Sequence, residues 1–130
     1  MMPKKKKILL IDDDETHLSI ATVILEDVYE ISSAKSGKEA LDHLLHGTAP
    51  DLILLDLLMP QMDGWETFNR LKAISYLKDV PVAFMTSVHG TEEKNQARKI
   101  GAADYITKPF EKKELLKRVK NILENLDVQR

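Results

Sequence analysis

LILLDLLMPQMDG, residues Leu52 to Gly64, begins with four consecutive apolar residues and then stops abruptly on a carboxylate, Asp56. Four apolar residues with no polar alternation predict a strand covered on both faces, over Leu52 to Leu55. Pro60 breaks the chain after it, and a helix is predicted from Gly64 to about Tyr76. A strand covered on both sides needs layers on both sides, so the flanking sequence has to supply helices in pairs.

It does. Upstream, Lys7 to Ile11 and Tyr29 to Ser33 read as strands, and downstream Val80 to Met85 and Tyr105 to Thr107 do the same. Between them lie amphipathic stretches. Thr16 to Asp27 spaces Leu18, Ala21, Ile24 and Leu25 along one face. Ser36 and Glu39 form a capping box ahead of Ala40, Leu41, Leu44 and Leu45, with Gly47 closing that helix. Thr91 to Ile100, with Gly101 at its end, offers mainly Ala97 and Ile100 as anchors. Glu111 to Leu126 carries Leu115, Leu116, Val119, Ile122, Leu123 and Leu126 on one side. Alternating strands and helices with right-handed crossovers predict an α/β fold with a parallel sheet.

Composition narrows the function. The 130 residues suit one domain over the whole chain, 1–130, and 43% hydrophobic with 31% charged residues is the balance of a chain that folds alone. A net charge of −2, with its one basic run at Lys4 to Lys7 read as a solvated arm, leaves no footprint for direct nucleic-acid binding. The absence of cysteine excludes disulfides, thiolate metal sites and cysteine nucleophiles. No apolar stretch reaches membrane-spanning length and none reads as a signal peptide, so a cytoplasmic protein with no membrane contact is expected.

Ligands of such folds bind at the carboxyl ends of the strands. Those ends carry Asp12 and Asp13, Asp56, Thr86 and Ser87, and Lys108. Clustered carboxylates repel one another unless a cation lies among them, and hard oxygen donors without histidine or cysteine favour Mg²⁺ or Mn²⁺ over Zn²⁺. His43 and His46 share a helix face but lack a third ligand. Three carboxylates, a hydroxyl and an ammonium on one edge point to phosphoryl chemistry.

The motifs ILLIDDD (Ile8 to Asp14), LILLDLLMPQMDG, MTS (Met85 to Ser87) and YITKPF (Tyr105 to Phe110) together resemble the receiver domains of two-component response regulators. The resemblance implies a single (βα)5 flavodoxin-like, doubly wound domain with five parallel strands in the order 2-1-3-4-5. It implies a switch rather than an enzyme: a step in a phosphorelay in which Asp56 accepts a phosphoryl group from a sensor histidine kinase or histidine phosphotransfer protein. Asp13 and Asp56 would hold Mg²⁺ with the backbone carbonyl of Leu58, while Asp12 would orient a metal-bound water. Thr86 and Lys108 would hold phosphoryl oxygens, a cis Lys108–Pro109 peptide would aim the lysine, and Tyr105 would swing inward with Thr86. The surface formed by the fourth helix, fifth strand and fifth helix would then contact a downstream protein or a second copy in a phosphorylation-dependent homodimer.

Asp12, Asp14 and Thr16 also fit the D-x-D-x-T signature of haloacid-dehalogenase-type phosphatases, with Thr86 and Lys108 in later roles. Those enzymes need acidic metal ligands after the lysine, and here Glu111 and Glu114 fall on a predicted helix. A third reading keeps the fold as a binding module without phosphorylation, against which the intact acidic set and lysine argue. Leu58 and Val88 stand where receivers tune the lifetime of the phosphoryl group, and neither can hydrogen-bond an attacking water, so slow autodephosphorylation is expected unless the polar His89 compensates. The chain stops after the fifth helix without an effector domain, as either a stand-alone receiver or a piece of a longer protein.

Overall fold

The computed structural model describes residues 4–129, with side chains described through residue 125. Five strands, β1 (Lys7–Ile11), β2 (Glu30–Ala34), β3 (Leu52–Leu55), β4 (Val82–Thr86) and β5 (Tyr105–Thr107), alternate with five helices. These are α1 (Glu15–Leu25), α2 (Gly37–Leu45), α3 (Gly64–Ala73), α4 (Thr91–Lys99) and α5 (Lys112–Gln129). The strands pair in parallel in the order β2-β1-β3-β4-β5, the doubly wound arrangement expected.

The period-two rule of strands divides the core into two layers. Leu9, Ile11, Ile53, Leu55, Val82 and Phe84 face one side, where Ala40 and Leu44 of α2, Phe68 and Leu71 of α3, and Ala97 of α4 cover them. Ile8, Leu10, Leu52, Leu54, Ala83, Met85 and Ile106 face the other, under Leu18, Ala21 and Leu25 of α1 and Leu115, Val119, Ile122 and Leu123 of α5. Every residue of β3 and β4 is buried, which explains why their sequences lack alternation.

Local differences from the sequence reading have local causes. Helix α3 ends at Ala73 because Ile74 turns extended, and a 3-10 turn at Ser75–Leu77 buries Leu77 instead. Strand β4 starts at Val82, after Pro81, whose carbonyl accepts from the Ile53 N–H although the proline itself has no N–H to give. Ile100 is exposed, so Ala97 is the one buried residue of α4. Leu45 is also exposed, and the Leu126 side chain lies outside the described residues. The basic run is not wholly a solvated arm: Lys7 is half-buried at the head of β1, its N–H donating to Asp51 Oδ2 at 2.7 Å, and Lys5 Nζ donates to the Glu26 carbonyl.

Candidate functional site

Register places the acids. Ile11 pairs with Leu55, so Asp12 and Asp56 each stand one residue beyond the ladder on adjacent strands, with the Asp56 N–H donating to the Ile11 carbonyl at 2.9 Å. This is the point where strand order reverses, the crevice in which such sheets bind ligands. Asp14 takes no part in the cluster. Its Oδ1 accepts from the N–H groups of Thr16 (2.9 Å) and His17 (3.2 Å) as the N-cap of α1. Gly64 is required where it stands. A Cβ there would meet the Asp56 carbonyl oxygen and come within 2.7 Å of Leu57 Cα, so α3 begins pressed against the end of β3.

Carboxylate oxygens of Asp12, Asp13 and Asp56 lie within 4.8 Å of one another, the sole cluster of this kind among the described residues. Asp12 and Asp56 are buried at 1% and 7% exposure, whereas Asp13 is exposed. Lys108, on the far side of the sheet's carboxyl edge, is 6% exposed and reaches across to both buried acids. Its Nζ donates to Asp12 Oδ2 and lies 3.3 Å from Asp56 Oδ2. The Lys108–Pro109 peptide is cis, and the Lys108 N–H donates to the Thr86 carbonyl at 2.8 Å, continuing the β4–β5 ladder by one residue.

Three carboxylates against one ammonium leave two negative charges at the mouth. Burial is the main cause that pushes the Asp12 carboxyl above its usual range, and repulsion from Asp56 adds to it, while Lys108 and the Asp14 N–H pull the other way. A divalent cation among these oxygens would reverse that balance. The donor set therefore fits Mg²⁺ or Mn²⁺ on its own chemistry: hard oxygens, two of them buried, with an excess of two charges.

Thr86 is fully buried at the end of β4, and its Oγ1 accepts from the Val88 N–H at 3.3 Å. Tyr105 is half-buried on β5, its ring 6.3 Å from that of Phe84 and its hydroxyl donating to the Val88 carbonyl at 2.6 Å. The loop between β4 and α4 is thus tied to both residues expected to move. Leu58 is 59% exposed; its N–H lies 3.4 Å from Asp56 Oδ1, and it lines a cavity of about 570 Å³ together with Asp13, Trp65, Val88 and Glu93.

One histidine was not foreseen as a site residue, and a second makes a contact other than the one considered for it. His17 Nδ1 lies 2.9 Å from Lys108 Nζ. His89 Nε2 lies 2.9 Å from the Lys108 carbonyl, so this nitrogen is committed to the backbone rather than free to orient a water. The available signal for His17 was position: a residue three past an N-cap, on the helix that follows the paired acids, turns back over the strand end.

The response regulator receiver domain family matches residues 8–120. The chain is 36% identical to a probable transcriptional regulator, ycf27, of Porphyridium aerugineum, over 95% of this chain and 50% of that protein. It is also 36% identical to protein PilG of Pseudomonas aeruginosa, over 88% of this chain and 84% of that one. The solved structure of the chemotaxis protein CheY4 of Vibrio cholerae superposes with a TM-score of 0.86 at 30% identity, covering 92% of this chain and all of that one. The chain spans about half the length of the ycf27 regulators it matches. Strand order agrees with these likenesses, and the chain belongs to the response regulator receiver domains of two-component systems.

Proposed function

We propose that Asp56 accepts a phosphoryl group from the phosphohistidine of a sensor histidine kinase or histidine phosphotransfer protein and that the resulting aspartyl phosphate controls a protein contact. The observation that carries this reading is the meeting of the Asp12, Asp13 and Asp56 oxygens with the ammonium of Lys108 at the reversal point of the sheet. An Asp56 carboxylate oxygen attacks phosphorus, the phosphorus–nitrogen bond of the donor breaks, and its electron pair leaves with the imidazole. Lys108 faces the negative charge carried by the phosphoryl oxygens. Thr86, one strand away and buried, supplies a hydroxyl to the same group. Mg²⁺ or Mn²⁺ would be held by Asp13, Asp56 and the Leu58 backbone carbonyl, with Asp12 orienting a metal-bound water, and would neutralise phosphoryl charge.

The Thr86 hydroxyl, Tyr105 and the β4–α4 loop then carry the change to the surface of α4, β5 and α5, where a downstream protein binds. Leu58 and Val88 offer only apolar side chains beside Asp56 and the His89 Nε2 is engaged, which supports a long-lived phosphorylated state. Mass spectrometry after incubation with acetyl phosphate and Mg²⁺ tests the reading. One added phosphoryl mass is expected, lost in Asp56→Asn; no gain, or a gain that survives this substitution, would overturn it. Leu58→Asn with Val88→Glu is expected to shorten the lifetime about tenfold, and an unchanged lifetime would refute slow hydrolysis.

A further inference from the structure

We propose that His17 is a positioning residue for Lys108, holding the ammonium through a contact that neither the metal ligands nor the phosphoryl group can displace. The inference rests on the phosphoryl-transfer reading of Asp56. Lys108 Nζ has three N–H bonds and three acceptors: Asp12 Oδ2, Asp56 Oδ2 at 3.3 Å and His17 Nδ1 at 2.9 Å. An ammonium has no lone pair, so Nδ1 must accept and the imidazole proton must sit on Nε2. Two of the three acceptors change during the proposed cycle. The Asp56 oxygens engage phosphorus, and the Asp12 oxygens are wanted by the cation site. His17 belongs to neither event.

A lysine is a point charge on a flexible stem, and its direction must be imposed from outside. One N–H fixed on His17 restricts where the other two can point, toward the acids and the phosphoryl oxygens between them. The backbone is restrained as well, because His89 Nε2 meets the carbonyl of the same lysine. His17 also lines a cavity of about 320 Å³ with Ser87, Lys108 and Phe110, so the imidazole lies where the site opens to solvent.

Asp56 phosphorylation by acetyl phosphate, timed by mass spectrometry, tests this in the whole chain. His17→Leu keeps the bulk and removes the acceptor, and is expected to slow phosphorylation about tenfold. His17→Asn places an oxygen at the same distance from Cβ as Nδ1 and is expected to restore most of the rate. His17→Leu at the unsubstituted rate, or His17→Asn as slow as His17→Leu, overturns the proposal while leaving the reading of Asp56 intact. An unsubstituted chain that takes no phosphoryl group removes that reading and this one with it. Independently of phosphorylation, a long-range proton–nitrogen correlation spectrum is expected to show His17 bare at Nδ1 and protonated at Nε2; a proton on Nδ1 overturns the contact itself.

Discussion

Helices α4 and α5 both adjoin β5, yet they are held in place very differently. Helix α5 lodges Leu115, Val119, Ile122 and Leu123 in the layer it shares with α1. Helix α4 buries Ala97 alone. The helix starts differ too: Asp14, Ser36 and Asp63 each cap their helix with a side-chain oxygen, whereas Gly90 at the head of α4 caps with none. What this teaches is where a signal can be spent. An element with one buried methyl group and an uncapped start shifts at little cost, and its neighbour stays fixed to give the shift a reference.

The largest effect that separates the two is a core truncation. Leu115→Ala is expected to cost about 3 kcal/mol, since Leu115 is fully buried. Ile100→Ala, at the exposed end of α4, is expected to stay within about 0.5 kcal/mol. Urea unfolding measures both, and equal losses would break the contrast.

A smaller effect probes the loop that leads into α4. His89→Ala removes the contact with the Lys108 carbonyl, for which a hydrogen bond is worth about 1 kcal/mol, or about a fivefold rise in the opening of that segment. Amide hydrogen exchange of the β4–α4 loop is the readout, with the α5 amides as the internal standard. If exchange rises equally in both, the loop and α5 open as one unit and the two helices are not separately held.

Tyr105 reads the same boundary through pH. Burial, with the charges of Glu93 on α4 and of Asp56, holds its phenol above the ordinary value of 10.0. The folded state therefore keeps the proton longer than the unfolded chain. Its contribution to stability is present below pH 10.0 and is lost as pH rises through the raised value. The stability difference between the unsubstituted chain and Tyr105→Phe is expected to stay flat through neutral pH and to change only in that alkaline window.

Much of this was legible in the residues themselves. The unalternating LILL of β3 reported burial on both faces, and the capping box at Ser36 and Glu39 marked the start of α2, where the Glu39 N–H does donate to Ser36 Oγ at 3.0 Å. Asp12, Asp13, Asp56, Thr86 and Lys108 could be found because a strand end is a position in sequence as well as in space. The contacts of His17 and His89 with Lys108 could not, because neither histidine lies at a fixed spacing from that lysine; only the fold brings either of them there. The anchor assigned to Ile100 failed for a related reason. Helical spacing identifies a face, but α4 ends at Lys99, and Ile100 at its C-cap is exposed while Ala97 is buried.

The smallest effect is the most direct test of whether the looseness of α4 is used. Gly90 has φ −66° and ψ 143°, a conformation open to any residue, so nothing in its backbone demands glycine. The atoms nearest to a Cβ there would be those of the Glu93 carboxylate, the far end of a flexible side chain, which has one buried oxygen without a hydrogen-bond partner. Gly90→Ser would let the new hydroxyl accept from the Glu93 N–H, as Ser36 Oγ does from the Glu39 N–H in α2, while the displaced carboxylate turns back to the N–H of residue 90 to complete a capping box. The expected gain is only a few tenths of a kcal/mol, with slower exchange in the first turn of α4. With beryllofluoride and Mg²⁺ as a phosphoryl mimic, the exchange change in α4 should shrink in this variant if the helix moves because it is loosely held. If the change is as large as in the unsubstituted chain, the weak start of α4 plays no part in transmitting the signal, and the contrast with α5 is one of stability alone.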